Sequence, residues 1–152
     1  MIRVNVEVKS RSWYKKIKNP KKYLYQKLKK ISEIIPFSKK KNIIFTILLT
    51  NSPDMKKLNK KFRNQNMSTD VLSFPFYSQN DLKLIKKKNI YIGDIAICYE
   101  IINRRSKKIF FYLEFNKAWI HGFLHLLGYD HIKNRDYFKM NKIEKRIFNS
   151  IN

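Results

Sequence analysis

All three histidines of this 152-residue chain, His121, His125 and His131, fall inside one stretch, "HGFLHLLGYDH", residues 121–131. A helix turns about 100° per residue, so side chains four positions apart share a face roughly 6 Å apart along the axis. His121 and His125 have that spacing, and two imidazoles so placed can grip one metal ion. Gly128 is expected to end the helix, because glycine accepts the left-handed backbone that helix ends favour. The turn through Tyr129 and Asp130 can then bring His131 back to the same point. Three neutral imidazoles with a fourth position open make a catalytic zinc layout. Bound zinc lowers the pKa of its water to about 7. Two plainer readings stay open: histidines merely packed on a helix, and a structural zinc with Cys98 as fourth ligand.

The spacing matches the H-E-x-x-H-x-x-G-x-x-H pattern of zinc proteases, glycine included, except that Gly122 stands where those enzymes carry their glutamate base. The ligand spacing is kept and the peptide-cleaving base is lost, which argues against proteolysis. Gly122 is also expected to leave the face beside the metal uncrowded.

The elements that must position these residues follow from pattern. Ile2, Val4, Val6 and Val8 alternate with polar residues and predict an opening strand. Asn19-Pro20 starts a helix whose apolar positions Leu24, Leu28, Ile31 and Ile35 run to Pro36. "SKKKN" (38–42) is a solvated link, and "IIFTILL" (43–49) reads as a buried strand. A second helix is expected from Ser52-Pro53, capped by Ser52, with Met55, Leu58 and Phe62 inward, ending near Arg63. A polar loop (64–70) leads to the strand "VLSFPF" (71–76), which Pro75 confines to an edge or strand end. Residues 77–89 read as a mobile lysine-rich loop, and "IYIGDIAIC" (90–98) as a strand interrupted by Gly93. Two helical segments then meet near Ser106. The second carries Leu113, Trp119, Ile120, Phe123 and Leu127, and a last helix over about 134–150 uses Phe138, Ile143 and Ile147. With strands mostly first and helices last, the fold class is α+β: a small mixed four-stranded sheet packed against helices, with the metal site at the end of a core helix. One catalytic domain spans 1–152, with a core of about 2–148.

Composition sets limits on function. No apolar run reaches the roughly 18 residues of a membrane span, and "MIRVNVEVKS" lacks the apolar centre of a secretion signal. Cys98 is the single cysteine, so no internal disulfide forms. A cytoplasmic protein is expected. The net charge of +23 fits a polyanion such as nucleic acid. The abundance of Lys, Asn, Ile, Phe and Tyr, with only two alanines, also fits AT-rich codon usage.

"HGFLHLLGYDH" resembles the signature of the YbeY family, bacterial metal-dependent endoribonucleases of ribosomal RNA maturation. "LNKKFRNQNMSTDVLSFPF" (58–76) is similar to the family's upstream arginine and the Val-Leu-Ser-Phe-Pro segment after it, and "GDIAIC" (93–98) is similar to a third family block. The similarity runs from about 43 to 147. It implies an α+β fold, one zinc ion per chain at His121, His125 and His131, and cleavage of single-stranded RNA. It also implies 16S rRNA 3′-end maturation, small-ribosomal-subunit quality control, and functional roles for Arg63 and His121. Ser68 departs from the family's usual proline, which bears on the loop after Arg63.

Other residues carry chemistry of their own. The Arg63 guanidinium matches phosphate oxygens and keeps its charge, so it suits a scissile phosphate as well as a helix end. Asp130 is either the carboxylate that orients a ligand histidine or a turn residue. Asp70 reads as a loop or capping acid, and Asp94 as part of a bulge at Gly93. Phe74, Phe76 and Tyr77 suit base stacking or the core. Lys15-Lys16, Lys60-Lys61 and Arg104-Arg105 are candidates for an RNA path, with Lys60, Lys61 and Arg63 the set nearest the site.

The leading reading is a zinc-dependent, single-strand-specific endoribonuclease, a monomer acting on the 16S rRNA precursor and small subunit, with no DNA or membrane partner. Catalytic roles fall to Arg63 and His121. With no obvious general base, attack by water and by the RNA 2′-OH both stay open. The alternatives are a non-catalytic rRNA-binding assembly factor with a structural metal, and another metal-dependent hydrolase.

Overall fold

A computed structural model describes residues 1–35, 41–107, 110–130 and 134–152. Four strands form one sheet in the order β1-β2-β4-β3: β1 (Ile2–Val8), β2 (Asn42–Thr50), β3 (Val71–Pro75) and β4 (Asn89–Cys98). β1, β2 and β4 are mutually parallel, while β3 runs antiparallel to β4 at the edge, Val71 opposite Ile97 and Pro75 opposite Gly93. Pro75 thus closes an edge strand, where its missing N–H removes no ladder bond from a central position. The mixed α+β architecture is the one the pattern predicts.

Among the described residues the sheet is joined by six α-helices: α1 (Pro20–Ile31), α2 (Ser52–Arg63), α3 (Gln79–Leu84), α4 (Tyr99–Arg105), α5 (Phe111–Leu126) and α6 (Asn134–Ile151). Alternation in β2 buries Ile43, Phe45, Ile47 and Leu49 on one face. α1, α5 and α6 contribute to the main core on that side. A smaller cluster of Met55, Leu72, Ala96, Cys98 and Ile101 lies under α2. A short 3-10 turn, Arg11–Lys15, inserts the fully buried Trp13, whose indole donates to the Thr50 carbonyl at 3.0 Å.

Local signals explain most boundaries. Asn19 caps α1 by accepting the Lys22 N–H at 2.9 Å, with Pro20 first in the helix. Asn51 caps α2 by accepting the Asp54 N–H at 2.9 Å, whereas Ser52, the expected cap, is helical and donates its N–H to the Glu100 carboxylate. Asparagine caps as well as serine does. α3 occupies part of the expected mobile loop. Ser78 and Asp81 form a reciprocal capping box, and Leu82 anchors the helix at 3% exposure. The lysines around it hide this start signal. On α6 the buried stripe is Met140, Ile147 and Ile151, and Phe138 is exposed. Two positions from Met140, it lies on the far side of the helix. Phe62 is also exposed, its ring edge-on to Phe74 at 5.0 Å.

Asn116 ties three elements together. Fully buried, it accepts from the Tyr23 hydroxyl at 3.0 Å and the Trp119 indole at 2.9 Å, and donates to the Asn152 side chain at 2.7 Å. Asn116→Leu leaves the buried Trp119 N–H without that acceptor, and is expected to cost about 1–3 kcal/mol in a denaturant titration; an unchanged midpoint would remove this hub. Burial is the main reason the Tyr23 hydroxyl is pushed up from 10.0 to about 12. Below pH 10.0 it is protonated folded and unfolded; between 10.0 and about 12 the unfolded chain ionises first, so stability falls as pH rises. Tyr23→Phe should flatten that decline. An identical alkaline profile in the variant would show that Tyr23 contributes nothing to it.

Candidate functional site

The helix that presents the histidines is held unusually close to the sheet. A Cβ on Gly122 would lie 2.9 Å from Ile95 Cγ2 and 3.1 Å from Ser73 Oγ. The bare backbone therefore seats α5 on β3 and β4. Gly122 is buried against the sheet, so it does not clear the face beside the imidazoles as expected; it allows the helix's approach. Gly128, at φ +80°, ends α5 as predicted. Its N–H bonds to the His125 carbonyl at 2.9 Å, and the Tyr129 N–H reaches the Leu124 carbonyl at 3.0 Å, the paired bonds of a Schellman turn. A side chain there would also strike Gln79, 2.7 Å from the Cβ position.

His121 and His125 face one cleft. Their Nε2 atoms lie 3.1 Å apart and their rings are 78° from coplanar. Two nitrogens bound tetrahedrally at about 2.0–2.1 Å from one zinc would stand about 3.3 Å apart. The pair therefore fits a shared cation with little adjustment. His131 lies outside the described residues, and among the described residues no group of three ligating side chains closes on one point. Behind the pair, Glu144 of α6 stands 3.5 Å from His121 Nδ1. A carboxylate on the second ring nitrogen fixes the tautomer that leaves Nε2 free to ligate. Sequence reasoning missed Glu144, which lies 23 positions from His121 in a helix with no motif of its own. Asp130, read from the sequence as either an orienting carboxylate or a turn residue, lines the same cleft.

The cleft has a volume of about 840 Å³ and is lined by Arg63, Ser73, Tyr77 and Lys117 among others. Arg63 is the last residue of α2, followed by Asn64 in the left-handed conformation at φ 55°. The loop beyond is pinned by the buried Asn59, which donates to the Met67 carbonyl at 2.8 Å. Lys60 and Lys61 are exposed on α2 and are absent from the cleft lining, whereas Arg105 is part of it. Asp70 accepts the Val71 N–H at 2.9 Å and pairs with Arg105, which accords with a structural acid. Asp94 sits where the β2–β4 register shifts, accepting the Tyr91 hydroxyl at 2.5 Å. Gly93 takes φ +133° there, and a Cβ would overlap the Phe74 carbonyl. Tyr77 is on the cleft wall, while Phe76 packs on Tyr91 at 5.4 Å. The Cys98 thiol lies in the smaller cluster under α2, hydrogen-bonded to Ser52 and Ser68.

Paired imidazoles, a backing carboxylate and a guanidinium share one cleft. A model of the family "Endoribonuclease YbeY" matches residues 7–152, and the chain belongs to that family. The endoribonuclease YbeY of Pelagibacter ubique is 47% identical over 155 residues, covering 99% of this chain and 97% of its own. That of Thermodesulfovibrio yellowstonii is 30% identical over 164 residues, covering 99% of both. The solution structure of TM1509 from Thermotoga maritima aligns over 99% of this chain and 89% of its own, at TM-score 0.64 and 27% identity. No helix of the described residues is long and apolar enough to cross a membrane.

The tight seat of α5 makes a direct prediction. Gly122→Ala should lose about 1–3 kcal/mol of stability by overpacking against Ile95. Thermal unfolding checks this, and an undisturbed melt would mean that the helix has room to spare.

Proposed function

We propose that this protein is a zinc-dependent endoribonuclease specific for single-stranded RNA, acting in 16S rRNA 3′-end maturation and small-subunit quality control. The observation that carries the reading is the convergence of His121 and His125 Nε2, 3.1 Å apart, in a cleft that also contains Arg63. Family membership supports the RNA substrate.

Each residue contributes a defined part. His121 and His125, with His131 as third ligand, would hold one zinc ion. Such an ion supplies Lewis acidity and an activated water when bound. Glu144 orients His121 through Nδ1. Arg63 holds the scissile phosphate by its forked N–H donors and stabilises the negative charge that grows on phosphoryl oxygens. The basic surface draws the RNA backbone to the cleft through its phosphates.

The nucleophile is read from the products. A 2′,3′-cyclic phosphate identifies the RNA 2′-OH, and its absence with a 5′-phosphate identifies water. His121→Ala is expected to lower cleavage of an unstructured oligoribonucleotide by at least about 100-fold, with binding nearly intact. Cleavage that survives chelation and this substitution would refute the metal-dependent reading. A variant that unfolds on losing His121 would favour an assembly factor with a structural metal.

A further inference from the structure

α5 carries a third side chain in register with the two histidines. Lys117, His121 and His125 follow at intervals of four, which places Lys117 one turn, about 6 Å, before His121 on the same face. All three line the cleft. The Lys117 ammonium is held at 2.9 Å by Glu114, whose side chain is only 11% exposed, while Lys117 itself is half exposed. Arg105, which also lines the cleft, is held by Asp70 in the same way, its side chain half exposed and that of the acid more covered.

Each acid orients a cation without using up its donors. An ammonium has three N–H bonds and Glu114 takes one; a guanidinium has five and Asp70 engages one terminal nitrogen, Nη1. Among the described residues no second side-chain hydrogen bond engages either cation, and both residues line the cleft. We propose that Lys117 and Arg105 form a second phosphate clamp, which binds backbone phosphates flanking the one at the histidines, with Glu114 and Asp70 as positioning residues. Repeated phosphates at short spacing are the chemistry such a row of cations matches, and a single-stranded polynucleotide supplies them. The inference rests on the RNA-cleaving reading of the same cleft.

The test is binding of a fluorescent, unstructured oligoribonucleotide as a function of salt concentration, beside kcat and KM for its cleavage. Lys117→Ala and Arg105→Ala should each lower the slope of log affinity against log salt by about 0.7, the single-strand value for one phosphate contact. Each should raise KM about tenfold with kcat within a few-fold, as for loss of one charge-assisted hydrogen bond. Lys117→Arg should restore most of the affinity. Lys30→Ala, on the exposed face of α1, serves as the charge control. Slopes for Lys117→Ala and Arg105→Ala equal to that control would overturn the clamp. So would a fall in kcat with KM unmoved, which would put these cations at the reacting atoms. If Lys117→Ala melts early because Glu114 is left charged and alone, the slope is read on the Glu114→Gln/Lys117→Ala double variant. Were the wild type to bind the oligonucleotide without cleaving it, the nuclease reading would fail, and the slopes would still decide the clamp.

Discussion

Contact between α5 and the β3–β4 edge of the sheet governs the position of the paired imidazoles. At Gly122 the helix backbone rests on Ile95 and Ser73 without an intervening side chain. The neighbouring residue His121, and His125 one turn on, are thereby fixed relative to the strands. β3 leads directly from the loop that follows Arg63, so the same contact brings the guanidinium and the imidazoles to one cleft. Fully buried Phe123, Leu124 and Leu126 hold the helix from the core side. A helix that carries ligands on one stripe needs the opposite stripe immobilised, because small rotations would part the two Nε2 atoms.

Polar bonding reinforces the arrangement at both ends of α5. Asn116 joins the start of the helix to α1 and to the chain end at Asn152. The Schellman turn at Gly128 closes the other end against the start of α3. Between them Glu144 reaches across from α6. Three acids along the cleft serve cations or a histidine: Asp70 with Arg105, Glu114 with Lys117, Glu144 with His121. In a chain of charge +23, acids used in this way set direction and leave the field positive, as a polyanion site requires.

Much of this was legible from residue order because it is local. The four-residue histidine spacing, the Asn19-Pro20 start, the Gly128 stop and the Pro75 edge are all decided by neighbours within a turn or two. What escaped depends on contacts distant in sequence. Glu144 becomes an orienting group only once α6 crosses α5. The purpose of Gly122 is visible only with Ile95 and Ser73 beside it; in isolation the missing side chain suggested an open metal face. Lysines concealed α3, since its single buried anchor, Leu82, gives no periodic signal. Phe62 and Phe138 were placed inward on hydrophobicity, yet one sits where α2 passes the sheet edge and the other lies off the buried stripe of α6.

In the proposed site imidazole nitrogens, and no thiolate, hold one zinc ion. Zinc-edge X-ray absorption on the full chain loaded with one equivalent of zinc tests it most directly. The account predicts a first shell of nitrogen and oxygen at about 2.0–2.1 Å with the outer scattering of imidazole rings. A sulfur shell at about 2.3 Å would bring Cys98 to the metal and contradict it.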